Sequence, residues 1–351
     1  MRILLVKLSS LGDVVHAMAA LQDLRAALPH AQVDWVVERG FAPLLGRCDG
    51  LERIIACEIR RWRRSPLAAE TRAQWRAFKV QLQQQDYDAI IDLQGLTKSA
   101  VVARMARLAP GGRRYAMGNQ TEGSSYEAPT RWLADVAIAL EPHVHAVQRS
   151  REVCARALAY RCEGPPRFGL RARSLTAPWS GAGVGPSGRD VVLGHGSSRD
   201  DKRWPDAYWV DLGQRLLAQG LRPVLPHGSP DERARSEQLA RQMPGAEVWP
   251  GLPLDALTDA IGACGGAIGV DSGLSHIACA LDLPHVQIYN FDTAWRSPCS
   301  GANLPGVRAA SPPMGWRSRS VLAATASRLN RAANCYGFMP SPWARPVRQP
   351  S

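Results

Sequence analysis

At 351 residues, 45% of them hydrophobic, the chain has the length of two ordinary domains and the apolar content of a globular protein, which excludes wholesale disorder. Its formal charge of +12 suits a nucleic acid, an anionic membrane surface or a phosphorylated substrate, without choosing among them. Apolar runs such as residues 3–6 are too short to span a bilayer. The chain opens at once on a strand pattern, without the charged and apolar regions of a signal peptide, so a cytosolic protein with no cleaved leader is expected. The cysteines, at 48, 57, 154, 162, 264, 279, 299 and 335, form no CxxC pair and no Cys/His set at zinc-ligand spacing. Free thiols and no metal are expected.

In chain order, residues 1–7 (MRILLVK) read as a short buried strand closed by the polar SSLGD. From 14 to 28 the apolar residues recur at helical spacing, and Pro29 ends the pattern. VDWVV (33–37) is a second strand, Ile54 and Ile55 mark a third, and 71–85 has helical composition. DAIIDLQG (88–95) is a further strand, running into a helix over 98–108. Between 163 and 189 the composition shifts to Gly, Pro, Ser and Arg without periodicity, as in a linker.

The alternation then restarts. VVLGHG (191–196) is a strand and 206–219 a helix stopped by Gly220. RPVLPHG is a strand, 232–242 a helix and AEVWP a short strand. A helix over 254–263, the strand and turn GGAIGVDSG, a helix over 275–281 and the strand HVQIYN close the series. The fold class is therefore α/β: two Rossmann-like parallel-sheet domains facing a central cleft, with ligand loops at the carboxyl ends of the strands. The expected division is a first domain over 1–165, a linker over 166–190, a second domain over 191–320, and a segment over 321–351 that holds a returning helix (321–332) and a frayed tail from 331 onward.

Four segments carry chemistry. KLSSLGDVVH (7–16) lies at the first strand-to-helix turn, where Gly12 permits close backbone approach and free N–H groups favour anions. Asp13 there either caps the helix or accepts a proton from an acceptor hydroxyl; no GxGxxG supports a dinucleotide, so a nicotinamide-dependent oxidoreductase lacks its fingerprint. HGSSRDDKRWP (195–205) offers Ser197, Ser198 and Lys202 to a diphosphate, or else is a solvated charged turn. GVDSGLSHIACAL (269–281) places Asp271 at a strand end, Ser272 and Gly273 in the turn, and His276 in the next helix. That arrangement suits sugar and phosphate binding. G-x-S-x-G is absent, and one Asp with one His falls short of a metal site. IRRWRRS (59–65) sets Arg60, Arg61, Arg63 and Arg64 around Trp62, either to neutralise phosphates and carboxylates or as a solvated basic face. No nucleic-acid module accompanies it, so a nucleic-acid-binding protein rests on net charge alone.

These four motifs, in this order, closely resemble those of the lipopolysaccharide heptosyltransferase I family, within glycosyltransferase family 9, over about residues 1–289. The resemblance implies a GT-B fold and metal-independent, inverting transfer of L-glycero-D-manno-heptose from ADP-heptose to the first Kdo of Kdo2-lipid A. It implies no cofactor, ADP-heptose being a substrate. The protein would be a monomer, peripheral on the anionic cytoplasmic face of the inner membrane, with no nucleic-acid partner. Asp13 becomes the general base. Ser197, Ser198 and Lys202 hold the diphosphate, and Lys202 neutralises the leaving group. Glu232 meets the ribose, Leu252 packs near adenine, Asp271 contacts the heptose, and Ser272, Gly273 and His276 surround the phosphates. Arg60, Arg61, Arg63 and Arg64 match the acceptor loop, with Ser10, Gly12 and Gln120 beside the acceptor. The arginine run favours type I over heptosyltransferase II, whose acceptor already bears a heptose. NQTEGSSYEAP (119–129) keeps the Gln-Thr but lacks an arginine that many relatives carry just after it.

Overall fold

The computed structural model describes residues 1–175, 179, 185–197, 199–289 and 335–338. They fall into two compact units: Met1–Arg173 with Pro253–Thr258, and the other described residues from Ser174 on.

The first unit alternates strand and helix: β1 (Arg2–Val6), α1 (Leu11–Ala27), β2 (Gln32–Glu38), α2 (Ala42–Leu45), β3 (Arg53–Cys57), α3 (Ile59–Trp62), α4 (Ala69–Leu82), β4 (Asp86–Asp92), α5 (Thr97–Met105), β5 (Arg107–Met117), α6 (Thr130–Leu133), β6 (Val136–Ile138) and α7 (Ala146–Leu158). Its sheet runs β3-β2-β1-β4-β5-β6 with every neighbouring pair parallel. Strands buried on both faces need continuous apolar runs, which is why RILLV and AII carry no alternation. The strand order reverses between β1 and β4. Loops leaving those two carboxyl ends diverge, and the gap between them is where open α/β sheets bind ligands. Helix α1 is buried from Val14 through Leu21; a helix apolar on all sides must be covered on several, and α7 packs along it. Arg151 of α7 reaches Asp23 of α1 through two bonds of 2.6 and 3.1 Å.

Strands β5 and β6 lie where no strand is expected from the residue pattern. RLAPGGRRYAM contains a proline, two glycines and three arginines, and its pairing with β4 shifts register between Tyr87 and Ala89; sheet context, rather than propensity, makes it a strand. The helix expected over 98–108 accordingly stops at Met105. The unit also continues past residue 165. Phe168 and Leu170 are buried, Leu170 bridges Cys48, and the Asp49 N–H donates to the Gly169 carbonyl at 2.9 Å.

The second unit repeats the pattern with β7 (Asp190–Gly194), α8 (Asp206–Ala218), β8 (Arg222–Leu225), α9 (Pro230–Arg241), β9 (Glu247–Val248), α10 (Leu254–Gly262), β10 (Gly266–Val270), α11 (Gly273–Ala280), β11 (His285–Tyr289) and β12 (Cys335–Phe338). The parallel order is β12-β11-β10-β7-β8-β9, so here the reversal falls between β7 and β10. Strand β12 occupies part of the segment expected to be a frayed tail; the returning helix expected over 321–332 lies outside the described residues. Val191, Leu193, Trp209, Leu225 and Val270 centre the core. Cys279 is disulfide-bonded, which corrects the expectation that all the thiols are free; Cys48, Cys57, Cys154, Cys162 and Cys264 are free. Among the described residues no helix is long and apolar enough to cross a membrane.

Candidate functional site

Each motif singled out in the sequence follows a strand: β1 beside the order reversal of the first unit, β3 at the edge of that sheet, and β7 and β10 on either side of the reversal in the second. In the first unit the chain leaves β1 through Lys7, which is buried and donates from Nζ to the Leu93 carbonyl at 2.9 Å. The next two amides, Leu8 and Ser9, both donate to Gln94 Oε1 at 3.1 Å. Gln94 follows β4, so one side chain ties the two diverging loops together.

Ser10 is the N-cap of α1. Asp13 therefore lies in the first turn of the helix, not in a loop or at the cap itself. Its Oδ2 accepts the Ser10 N–H at 3.1 Å and the Ser10 hydroxyl at 2.8 Å, as an acidic N3 residue reaching back to the cap. Burial opposes ionisation of Asp13. The Lys7 ammonium, His16 and the two bonds from Ser10 outweigh it and hold the carboxyl well below the usual carboxylate range. A carboxylate so stabilised is always ionised near neutrality, though it is a weak base in the ground state.

Beneath it, Asp92 at the end of β4 is 1% exposed. Burial pushes its carboxyl up to about 6, although it accepts the Gln94 and Gly95 N–H groups at 2.8 and 3.4 Å and the Ser99 hydroxyl at 2.9 Å, with Lys7 nearby. Burial lowers the pKa of Lys7, while Asp13 and Asp92 favour its charged form. Lys7 is thus a buried cation that feels two acidic groups, Asp13 and Asp92, and the opposing charge of Arg149. Lys7, Asp92 and Gln94 were given no role in the sequence reading. The available signal was an apolar strand, DAIID, ending in a carboxylate beside the first strand.

The arginine run begins in α3, a single turn that holds Arg60 and Arg61, has Arg63 at its C-cap and is anchored by Trp62. That indole is 5% exposed, packs on Trp75 and Phe78 at centroid distances of 5.3 and 5.6 Å, and donates to Gln74 at 2.9 Å. The four guanidinium groups diverge. Arg60 Nη2 donates to Ser9 Oγ at 3.3 Å and its amide to Glu38 at 3.3 Å, which joins it to the Asp13 loop. Arg61 turns to Glu58 and Glu70 at 3.6 and 3.1 Å. Arg63 and Arg64 are exposed. Lys98, at the start of α5, has its ammonium disfavoured by burial and by Arg60 and Arg63, with Glu38 opposing; it is a further cation of this group that the sequence reading missed. Gln120 is exposed in the loop after β5, which Asn119 and Arg149 hold through bonds to Leu140 and Thr121.

In the second unit the chain leaves β7 at Gly194 and His195. Ser197 Oγ accepts the Arg199 amide at 3.4 Å; Ser198 lies outside the described residues. A 3-10 turn, Asp200–Lys202, then points Lys202 Nζ at Asp271 Oδ2, 2.6 Å away. Asp271 directly follows β10. Its Oδ1 lies 3.4 Å from His276 Nε2, and Gln287 approaches His276 Nδ1 at 3.3 Å. Burial would raise the Asp271 carboxyl; the hydrogen bond and charge of His276, with those of Lys202, hold it well below its usual range.

Ser272 caps α11 and Gly273 is its first residue. The amides of this helix start are a standard anion site. Ser272 Oγ is buried without a hydrogen-bond partner among the described residues, as expected of a group that awaits a ligand. Close approach of α11 requires Gly269: a Cβ there would lie 2.4 Å from Ser275 Oγ, which donates to the Val270 carbonyl at 2.7 Å. Glu232, near the start of α9, accepts the Gly228 amide at 2.7 Å. It lies against Gly196, where a Cβ would meet Oε1 at 2.7 Å. Leu252 is half-buried between β9 and α10. Ser197, Lys202, Glu232, Asp271, Ser272, Gly273 and His276 thus gather around the ends of β7 and β10. Their charges suit a ligand with a diphosphate and hydroxyl groups.

Residues 75–318 match the model of glycosyltransferase family 9 (heptosyltransferase). The chain is 36% identical over 294 residues to lipopolysaccharide heptosyltransferase 1 of Escherichia coli K12, covering 82% of this chain and 88% of that one. It is 37% identical over 290 residues to the protein of the same name from Pseudomonas aeruginosa PAO1, covering 82% and 78%. Lipopolysaccharide heptosyltransferase 2 of E. coli K12 is 25% identical, covering 82% of each. Among solved structures, E. coli heptosyltransferase WaaC with ADP is similar at a TM-score of 0.75 and 34% identity, covering 85% of this chain and 90% of that one. From the two parallel sheets, the residues at their order reversals and these similarities, the chain belongs to glycosyltransferase family 9, the heptosyltransferases.

Proposed function

We propose that this protein transfers L-glycero-D-manno-heptose from ADP-heptose to the first Kdo of Kdo2-lipid A, with inversion and without a metal ion. The observation that carries the donor assignment is the cluster of Lys202, Asp271 and the buried Ser272 hydroxyl, which has no hydrogen-bond partner among the described residues, at the start of α11. The acceptor assignment rests on the stronger likeness to type 1 than to type 2 relatives, together with Arg60, which reaches Ser9 beside the Asp13 loop, and the neighbouring cations Arg63 and Lys98.

In the reaction the acceptor hydroxyl attacks the anomeric carbon as its proton passes to Asp13. The bond from that carbon to the diphosphate oxygen breaks, and ADP leaves with the electron pair. Lys202 and the α11 amides neutralise the charge that develops on the leaving oxygen, and such fixed positive charge can replace a metal. Asp271 and His276 orient the heptose and phosphates, Ser197 and Ser198 the diphosphate, Glu232 the ribose and Leu252 the adenine. Arg61, with its three sister arginines, Ser10, Gly12 and Gln120 complete the acceptor side. The protein acts as a monomer, held peripherally at the cytoplasmic face of the inner membrane.

The test is release of ADP and formation of heptosylated product from ADP-heptose and Kdo2-lipid A, with and without EDTA. An acceptor already bearing one heptose runs in parallel. Turnover on Kdo2-lipid A that EDTA leaves intact is expected. Turnover only on the heptosylated acceptor would overturn the acceptor assignment, and loss with EDTA would overturn the metal-free mechanism.

A further inference from the structure

The segment that carries Ser197 and Lys202 has both of its ends fastened to one side chain. Arg235 of α9 donates from Nη1 to the His195 carbonyl at 2.9 Å and from Nη2 to the Trp204 carbonyl at 3.1 Å. Its Nε and Nη2 also reach Asp206 Oδ1, at 2.9 and 2.6 Å. His195 is the residue just past β7, and Trp204 precedes Pro205 and the start of α8. The segment therefore departs from and returns to a single guanidinium group.

The neighbours of Arg235 on α9 serve the same segment. Residues 232, 235 and 236 share one helix face by their spacing. Glu232 lies against Gly196, and Ser236 Oγ is 2.8 Å from Nε2 of the fully buried His195 ring. Burial, with Arg235 beside it, pushes that imidazole down to about 4, so it is neutral and adds no charge near the loop.

We infer that Arg235 is the positioning residue of the donor site: it closes the 196–203 segment so that Ser197 and Lys202 stand ready for the diphosphate. The inference rests on the donor reading proposed above. Carbonyls outside a ladder need a donor, and a planar fork with five N–H groups can serve two carbonyls and a carboxylate at once. Lysine, with three donors on one nitrogen, cannot span them. Fixing the ends of the segment removes conformations before the ligand arrives, so less ordering entropy is lost on binding.

The test compares the wild-type chain with R235K, R235Q and D206N. It measures ADP affinity by calorimetry, KM for donor and for acceptor, and hydrogen exchange by segment. ADP affinity should weaken and donor KM rise about tenfold or more in R235K and R235Q, since small misplacements of binding groups carry losses of that order. Acceptor KM should stay within about twofold, and amide exchange should accelerate over 196–204 without a matching rise elsewhere. D206N, which loosens the clamp from its other side, should shift the same readouts in the same direction. If R235Q does not fold, R235K and D206N decide the matter. Unchanged exchange over 196–204 in folded variants overturns the clamp, as does a rise in both KM values together. A wild-type chain that ignored ADP would sink the donor reading instead, leaving the exchange result to decide the clamp alone.

Discussion

Asp13 has two physical roles in this fold, and Asp13→Asn separates them. An amide oxygen can still accept from Ser10, whose amide and hydroxyl lie 3.1 and 2.8 Å from the carboxylate. The substitution removes a negative charge from the first turn of α1, worth about 0.3–1 kcal/mol, and weakens charge-assisted bonds by about 1 kcal/mol. Stability should fall by about 1–2 kcal/mol in urea titrations. The amide cannot take a proton, so kcat should fall about 10²–10⁴-fold in an ADP-release assay, with donor KM little changed. Ser10→Ala makes the complementary cut: it loses the hydroxyl bond at about 1 kcal/mol but keeps the carboxylate, and kcat should fall far less.

The pH dependence follows the same logic. A carboxyl held well below its usual range contributes stability above its unfolded value of about 3.9 and loses that contribution as pH falls below it. Protonation of Asp13 should therefore produce no acid limb in kcat/KM between about pH 5 and 8. Asp13→Asn with more than a tenth of wild-type kcat would refute the assignment of the base.

Asp92 behaves oppositely. Its carboxyl is raised from about 3.9 unfolded to about 6 folded, so the stability linked to its protonated form is present below pH 4 and lost as pH rises through about 6. The loss approaches 3 kcal/mol by order of magnitude. Asp92→Asn should gain on the wild type by about that amount between pH 4 and 7 in urea unfolding; parallel profiles would contradict the burial argument. Lys202→Met strands the buried Asp271 carboxylate with His276 alone, which should cost about 3 kcal/mol of stability and about 10²–10³ in kcat. Adding Asp271→Asn should recover the stability and leave transfer lost; recovery of both would show that the pair is structural only. Arg63→Ser with Arg64→Ser should raise acceptor KM and leave donor KM alone, with a difference that shrinks at high salt. An effect on donor KM of equal size would place these residues elsewhere in function.

Much of the fold was legible because buried parallel strands and amphipathic helices write different periods. The apolar runs at 2–6, 33–37, 191–194 and 266–270 are strands for that reason. Strands β5 and β6 were not legible: an arginine- and glycine-rich segment becomes a strand only because β4 offers it a partner. The motifs likewise marked loops at strand ends, where ligands bind, so Asp13, Ser197, Lys202 and Asp271 were identifiable as chemistry. Composition could not say which of four adjacent arginines faces what. Trp62 sets that by packing, leaving Arg60 on Ser9 and Arg61 on Glu58 and Glu70.

Two α/β halves and the residue types at their strand ends are local properties of the chain, and both can be read without the fold. Partnership was decided only in three dimensions. Lys202 and Asp271 are 69 residues apart and meet at 2.6 Å; Gln94 ties down a loop 86 residues upstream; Arg235 closes a segment 40 residues before it. Hydrogen bonds and charge pairs depend on distances in space, and the sheet order that sets those distances is fixed by the packing of whole strands and helices.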